Sequence, residues 1–443
     1  MRFGCIPTLL GVVFAVGVGC LFVAPAVSDE EIRFDDFFNA GALRVDIIHS
    51  GMKGDDLVSI RRIVKEEVWA GPKNPVSAPY DMGKYRMDVV DQASGRMIFR
   101  YGFGTLFGEW ITTGEAETMS RAFEETLEMP FPKAPIELVM YVRNKQGSME
   151  EIFTTKIDPS HHQVGRPPRA QADAEVIELV VSGDPSDHVD LVVLGDGYAA
   201  DEREKFVGDC AHFAENLFAV EPFRSRKEQF NVRAVFVPSP ESGIDEPRKG
   251  VYRDTPFGMM FNMFDLPRYC MSHAVWAMHD AVSDVPHDAI LLMANSSRYG
   301  GGAIYNHYTV FVSDNEYDDY LPVHEMGHGF AGLGDEYYTS AVAYNEFYPA
   351  GVEPWEPNIT ALLDKDNVKW NQFIKPGTPI PTSEDDPEHS NQVGAFEGAG
   401  YAAKGLFRPA KDCKMFSKGN RDFCRVCAQG MIDVIDYYAP TSR

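Results

Sequence analysis

The sequence has no excess of positive charge. Its 41 lysine and arginine residues are outnumbered by 66 aspartate and glutamate residues, which gives a formal net charge of −25. A chain with this charge is repelled by nucleic-acid phosphates and by anionic membrane surfaces. We therefore expect no nucleic acid among its partners.

Long apolar runs are missing beyond residue 26, so we expect no stable membrane insertion there. The one such run, Leu9 to Val23, follows Arg2 and is closed by a small-residue pattern ending at Ala26. Because a spanning helix needs roughly 20 apolar residues, this arrangement predicts a signal peptide over residues 1–26. The predicted location is secreted, periplasmic or otherwise extracytoplasmic. A lipoprotein anchored through Cys20 is less favoured, because the three preceding residues lack the leucine that such sites usually carry.

Cysteine is scarce as well. Cleavage after residue 26 would leave Cys210, Cys270, Cys413, Cys424 and Cys427. Because exported proteins meet an oxidising environment, we expect a disulfide between Cys413 and one of the two cysteines of the C-R-V-C motif. Three thiolates without an obvious fourth ligand make a structural zinc site the less favoured alternative. The sequence does not decide the pairing.

Short β-rich runs occupy residues 30–160 and are separated by turn residues. Four of these runs are Leu43 to Ile48, Tyr85 to Val90, Met97 to Phe103 and Ile136 to Val142. The segments D-Q-A-S-G-R and N-K-Q-G-S are typical of hairpin connections. This pattern predicts an N-terminal β-sandwich domain, followed by a polar linker over residues 161–175.

Strand and helix signals alternate over residues 176–443, which predicts a mixed α/β (α+β) domain. The segments V-D-L-V-V-L-G-D-G-Y and F-N-V-R-A-V-F-V enclose a helical stretch that ends near Phe218. Further along, D-A-I-L-L-M-A-N and Y-T-V-F-V-S enclose the glycine-rich segment Y-G-G-G-A-I-Y-N. That segment lacks the lysine of a phosphate-binding loop, so we expect its glycines to permit a close backbone approach beside a substrate cleft.

The segment L-P-V-H-E-M-G-H-G-F-A-G-L-G-D-E-Y-Y, residues 321–338, contains the motif H-E-x-x-H. Pro322 suits the first turn of a helix and Gly332 suits its end, so His324 and His328 would lie one turn apart. Two neutral imidazoles at this spacing can supply two tetrahedral positions around one zinc ion, Zn2+.

Glu325 follows the first of these histidines directly. A carboxylate in this place can act as general base towards a water molecule and as general acid towards a departing amine, while zinc polarises the scissile carbonyl. The motif therefore predicts one catalytic zinc ion and hydrolysis of a protein or peptide substrate.

A third protein ligand is expected among the acidic residues after the helix. Gly332 and Gly334 would end the helix and turn the chain back, so that the next carboxylate approaches the ion from a new direction. Asp335 is the preferred ligand for that reason, and Glu336 and Glu346 are the alternatives.

The motif segment resembles that of the metzincin metallopeptidases, H-E-x-x-H-x-x-G-x-x-H or D, with one residue inserted before the glycine. In this form it is similar to the IgA-peptidase family of bacterial zinc metallopeptidases. The segments L-G-D-G-Y, Y-G-G-G-A-I-Y-N, F-E-G-A-G-Y and R-P-A-K-D-C-K-M resemble other parts of that family. F-D-D-F-F and F-G-E-W resemble its β-rich N-terminal domain. The resemblance implies a metzincin-like zinc peptidase domain preceded by a β-sandwich.

The resemblance also implies a methionine-containing turn beneath the metal. Met415 in C-K-M-F is the best candidate, with an ordinary core methionine as the alternative. The expected activity is that of a zinc-dependent endopeptidase. Two alternatives are an exported glycan- or protein-binding module with a purely structural metal site, and a zinc enzyme that hydrolyses an amide outside peptides.

Overall fold

The computed structural model describes residues 1, 32–73, 81–168, 174–340, 342, 347–419 and 422–440. The chain divides into two compact units, Met1–Ile32 and Arg33–Arg443, and the architecture below is that of the second unit. Apart from Met1, the predicted signal peptide lies outside the described residues, as do Cys20 and Glu346. In the described ranges, no helix combines the length and apolar character needed to cross a membrane.

The described residues form strands and short helices in a mixed order. The strands are β1 (Phe38–Met52), β2 (Asp55–Glu66), β3 (Tyr85–Asp91), β4 (Met97–Phe103), β5 (Arg121–Pro132), β6 (Ile136–Arg143), β7 (Met149–Ile157), β8 (Val164–Gly165), β9 (Glu175–Val180), β10 (Val189–Asp196), β11 (Phe230–Phe236), β12 (Ala289–Ala294), β13 (Gly301–Ile304), β14 (Tyr308–Val312), β15 (Phe396–Ala399) and β16 (Ala402–Arg408). The helices are α1 (Phe34–Phe37), α2 (Leu106–Trp110), α3 (Arg203–Leu217), α4 (Val275–Val282), α5 (Leu321–Gly329) and α6 (Arg425–Tyr438).

The N-terminal region contains two four-stranded sheets, with strand orders β5-β1-β2-β8 and β4-β3-β6-β7. All four predicted runs are strands, and both predicted turns connect antiparallel neighbours. Tyr85 joins the two sheets, because its ring lies 5.1 Å from that of His49 and its hydroxyl donates to Asp56 at 3.2 Å. Strand β8 comes from the segment predicted as a linker and pairs with β2. Part of that segment therefore belongs to a sheet.

A six-stranded sheet follows, with the order β13-β14-β12-β10-β11-β9. Its four inner strands are parallel, and the two edge strands β13 and β9 are antiparallel to their neighbours. Strands β10, β11 and β14 are buried along their whole length, which explains why most of their residues are apolar. Helix α5 packs on β13 and β14. The mixed α+β part of the prediction is confirmed, whereas the likeness to the metzincin fold and the domain boundaries stay predictions.

Candidate metal centre

Helix α5 carries both histidines of the motif. Pro322 lies at its N-terminal end, where a missing N–H costs no helical hydrogen bond. The helix ends at Gly329, and Gly332 then adopts a left-handed φ of 60° while its N–H donates to the His328 carbonyl at 3.0 Å. The chain turns back at this glycine, as predicted, and returns towards the two imidazoles.

Three side-chain atoms converge beside α5. His324 Nε2 and His328 Nε2 are 3.3 Å apart, and Asp335 Oδ1 lies 3.3 Å from the first and 3.2 Å from the second. Ligand atoms about 2.0–2.1 Å from a tetrahedral zinc ion lie about 3.3 Å from one another. The triangle therefore has the size of one face of a zinc coordination tetrahedron.

Hydrogen bonds at the other ring nitrogen fix which atom of each imidazole faces the triangle. His324 Nδ1 lies 3.0 Å from the Lys414 carbonyl oxygen and 3.0 Å from the Tyr320 hydroxyl. His328 Nδ1 donates to the Leu333 carbonyl oxygen at 2.6 Å. With a proton at Nδ1, each imidazole presents the lone pair of Nε2 to the triangle, as a metal ligand must.

The two oxygens of the Asp335 carboxylate have different surroundings. Oδ2 accepts a hydrogen bond from the Tyr401 hydroxyl at 2.6 Å. Oδ1 is buried and makes no hydrogen bond of normal geometry with the described residues, and its nearest polar neighbours are the two Nε2 atoms. Because two imidazole lone pairs repel a carboxylate oxygen unless a cation lies between them, Oδ1 is the atom suited to bind a metal.

Tyr401 was not among the residues predicted from the sequence. The turn between β15 and β16 places it, since the Gly400 N–H donates to the Asp335 carbonyl at 2.8 Å and the Tyr401 N–H donates to the Tyr337 carbonyl at 3.0 Å. Its φ of 65° is uncommon for a residue with a bulky side chain. The segment F-E-G-A-G-Y contains this tyrosine, but only its contact with a residue 66 positions away gives it a place in the site.

The converging groups shift one another's pKa. Burial lowers the pKa of His328, but the Asp335 carboxylate outweighs burial and raises it to about 9. Burial would raise the pKa of Asp335, but the two imidazoles hold it well below its usual range. A cation is thus favoured at this point, and protonation of His328 competes with metal binding.

Glu325 is buried beside the two motif histidines, with 8% of its surface exposed. Burial raises the pKa of its carboxyl group, and the nearby imidazoles lower it in part. Strand β13 passes close by, because a Cβ added at Gly301 would lie 3.3 Å from Glu325 Oε1. The predicted close approach of the glycine-rich segment is therefore an approach to this carboxylate.

Met415 lies beneath α5 and is fully buried. A Cβ added at Gly327, between the two motif histidines, would be 2.6 Å from Met415 Sδ. The Met415 carbonyl oxygen also accepts a hydrogen bond from the Glu336 N–H at 2.9 Å. The methionine therefore touches the helix and the ligand segment, and its role as a Met-turn stays a prediction.

Glu336, the nearer alternative ligand, is not part of the triangle. Its Oε1 lies 3.0 Å from Cys427 Sγ and 3.1 Å from Asn358 Nδ2. The expected disulfide is not formed, because the cysteines of the described chain are free thiols. Three of them lie around Glu336, namely Cys413, Cys424 and Cys427. The sequence alone could not reveal this grouping, because Glu336 precedes Cys427 by 91 residues.

The triangle faces a cleft of about 800 Å³. Its wall includes Lys84 and Arg143 from the N-terminal region and Trp355 from the later part of the chain. The ring of Tyr337 also lines the cleft and lies 6.5 Å from the His324 ring, with 17° between the planes. Tyr338 packs on Phe416 instead, with ring centroids 6.0 Å apart. Both regions of the chain therefore shape the space in front of the triangle.

Two protein-family models match the chain. The model described as IgA Peptidase M64 matches residues 177–388 and 384–435, and the model described as Peptidase M64 N-terminus matches residues 33–154. The first match includes α5 and the six-stranded sheet apart from the first two residues of β9. The second includes the two N-terminal sheets apart from the end of β7 and β8. No curated protein matches the chain.

Proposed function

This chain belongs to the IgA peptidase M64 family, and we propose that it is a zinc-dependent endopeptidase whose ion is held by His324, His328 and Asp335. Family membership indicates a peptidase that acts on protein or peptide substrates. The observation that carries the proposal is the triangle of ligand atoms 3.2–3.3 Å apart at the edge of a cleft. This arrangement supplies a site for hydrolytic chemistry.

Zinc is the ion that suits this set of donors best. Catalytic zinc sites use three nitrogen, oxygen or sulfur ligands from the protein and leave a fourth position open. When bound, zinc supplies a Lewis acid that polarises a carbonyl group and makes water more acidic. The protein itself orients the ligands, through the carbonyls at the two imidazoles and the Tyr401 hydroxyl at Asp335.

Glu325 is the proposed general base and general acid. Its carboxylate lines the same cleft as the triangle. It would accept a proton from the attacking water and return that proton to the amine that leaves. Burial raises the pKa of this carboxyl group above the ordinary value for glutamate. A raised pKa suits a group that must both accept and donate a proton.

The proposed substrate is a polypeptide that lies in the cleft between the N-terminal sheets and α5. Lys84 and Arg143 come from strands or turns of the N-terminal region and line the cleft together with Glu325. The N-terminal region is therefore proposed to contact substrate. The predicted signal peptide over residues 1–26 supports a proposed location outside the cytoplasm.

Replacement of the base tests the proposal. We expect Glu325→Gln to keep its bound metal and to cleave a peptide library at least about 100-fold more slowly, because the amide cannot accept the proton. Glu215→Gln, which makes the same change on the exposed surface of α3, should cleave at the wild-type rate. Digestion of the library with and without a chelator, followed by mass spectrometry, measures both rates.

The same experiment separates the enzyme from a binding module with a structural metal. A structural site needs a closed set of ligands and has no use for Glu325, whereas an open site beside a base serves hydrolysis. Cleavage by Glu325→Gln at the wild-type rate would contradict the assigned base. A wild-type chain that holds zinc but cleaves no member of the library would support the binding module.

A further inference from the structure

A second group of metal-binding side chains lies beside the proposed centre. Glu336, Cys413, Cys424 and Cys427 each offer one ligand atom, and these atoms all lie within 4.8 Å of one another. Glu336, Cys413 and Cys427 are buried and Cys424 is partly buried. We propose that this cluster binds a second metal ion, zinc by the chemistry of its donors, in a closed structural site.

The C-R-V-C motif places two of the sulfur atoms at the start of α6. Cys424 is the residue before the helix, and its Sγ accepts a hydrogen bond from the Cys427 N–H at 3.5 Å. The Cys424 N–H in turn donates to Cys413 Sγ at 3.2 Å. Backbone N–H donors and the positive end of a 14-residue helix stabilise thiolates, which are the form of cysteine that binds metals.

Glu336 supplies the fourth donor that the sequence alone does not reveal. Its side chain is fully buried, and its Oε2 atom has no hydrogen-bond partner among the described residues. Its other oxygen contacts Cys427 Sγ at 3.0 Å and Asn358 Nδ2 at 3.1 Å. Burying a carboxylate in this way is unfavourable without a cation, and a divalent ion among the three sulfur atoms would provide one.

The dimensions and the donor number both fit a structural zinc site. Sulfur atoms about 2.3 Å from a tetrahedral zinc ion lie about 3.8 Å apart, and the donor atoms here lie within 4.8 Å of one another. A contraction of at most about 1 Å by side-chain rotation would therefore close the cluster. Four protein donors leave no open position for water or substrate. A disulfide would use only two of the three sulfur atoms, and it would leave the Glu336 carboxylate buried without a metal ion.

The second site is linked directly to the proposed catalytic ligands. Glu336 follows Asp335 in the chain, and its N–H donates to the Met415 carbonyl at 2.9 Å. Cys413 precedes Lys414, whose carbonyl oxygen accepts from His324 Nδ1. A metal at the cluster would therefore hold together the two segments that orient His324 and Asp335. The role of this second metal in orienting the catalytic ligands rests on the proposed function, whereas the existence of the second site does not.

Metal stoichiometry tests the second site. The full chain, purified without reductant, should contain about two zinc ions by elemental analysis, and the His324→Ala/His328→Ala variant should retain one. Adding Cys424→Ser and Cys427→Ser to that variant should remove the remaining ion. Cys210→Ser/Cys270→Ser deletes two buried thiols outside the cluster and should still contain two ions.

Cobalt substitution provides a readout that depends neither on activity nor on the serine variants. Cobalt in the His324→Ala/His328→Ala variant should show the near-ultraviolet charge-transfer absorption of thiolate ligands. Alkylation in denaturant with a chelator, followed by peptide mapping, should label Cys413, Cys424 and Cys427. A double-histidine variant without metal, cobalt bound to that variant without thiolate absorption, or a disulfide among the three cysteines would overturn the second site. If the wild-type protein cleaved no peptide, the endopeptidase proposal would fail, but the thiolate absorption of the cobalt-loaded variant would still be expected.

Discussion

At the scale of single residues, the proposed centre depends on side chains that are far apart in the sequence. Asp335 presents Oδ1 to two imidazoles, while Oδ2 accepts a short hydrogen bond from Tyr401. Partners of this kind fix the rotamer of a metal ligand and raise its affinity for the ion. In the proposed centre, Tyr401 would therefore act on the metal through Asp335, as a positioning residue.

Removal of the Tyr401 hydroxyl tests that role. We expect Tyr401→Phe to weaken zinc binding at the catalytic centre by about 10- to 100-fold, because Oδ2 loses its donor and the carboxylate can rotate. The matched control is Tyr338→Phe, since Tyr338 lies on Phe416 outside the cleft. Competition with a chelating dye measures both affinities. Equal affinities in the two variants would show that Tyr401 does not position Asp335.

Four residues of the proposed centre could be named from the sequence because their spacing is local. His324, Glu325 and His328 follow from one helical turn, and Asp335 follows from the glycine after the helix that turns the chain back. Tyr401 could not be named, because its contact depends on the pairing of a distant hairpin. Glu336 was considered as a ligand of the same ion, whereas the structure places it with the three cysteines.

At the scale of secondary-structure elements, the position of α5 depends on Gly329, which faces the sheet. A Cβ added at Gly329 would lie 2.0 Å from Thr309 Oγ1 of β14 and 3.4 Å from Ala303 Cβ of β13. Thr309 is buried and β-branched, so its side chain has little freedom to move away. The glycine therefore allows the helix to approach the sheet closely. This approach determines the distance between the two histidines and the sheet.

Two glycine substitutions in helices test this packing. Gly208→Ala in α3 should raise the free energy of unfolding by about 1 kcal/mol, because a Cβ there would meet nothing within 4 Å and alanine favours helix. Gly329→Ala should instead lower it by about 1–3 kcal/mol, since the added methyl group collides with Thr309. Denaturant unfolding measures both changes, and Thr309→Ala should partly rescue Gly329→Ala. A stabilised Gly329→Ala variant would refute the packing argument.

The strands of the N-terminal region could be predicted because their apolar runs and turns are local signals. All four named runs are strands, and β1 extends beyond the predicted Leu43 to Ile48 at both ends. The strand orders of the sheets could not be predicted. Strand β1 lies between β2 and β5, which are separated along the chain by β3 and β4 of the other sheet. That order depends on long-range packing between the sheets rather than on any local pattern.

At the scale of the whole molecule, a buried charged cluster joins the N-terminal region to the six-stranded sheet region. Glu128 of β5 lies 3.6 Å from His279 Nδ1 of α4 and 3.5 Å from His287 Nε2. Burial lowers the pKa of both imidazoles, and it prevails at His279. At His287 the Glu128 carboxylate outweighs burial and raises the pKa to about 9. His287 therefore carries the positive charge of the cluster at neutral pH.

This cluster predicts a loss of stability at alkaline pH. Because the pKa of His287 is raised from 6.5 to about 9, its contribution is complete below about pH 6.5 and is lost as the pH rises through 9. The full contribution corresponds to about 3 kcal/mol. Unfolding of the metal-loaded protein between pH 6 and pH 10 measures it, and His287→Gln should flatten the decline. An identical decline in the variant would assign the pH dependence to other groups.

The sequence by itself determined the features that arise from neighbours along the chain. These are the histidine spacing on α5, the base beside the first histidine, the turn that leads to Asp335 and the strands of both regions. The tertiary structure decided which distant groups meet: Tyr401 with Asp335, Glu336 with the three cysteines, and the N-terminal sheets with the cleft. The physical reason is that hydrogen-bonding and steric preferences act over a few residues and leave local patterns. Contacts across the fold depend on how the sheets and loops pack, and no short pattern encodes that packing.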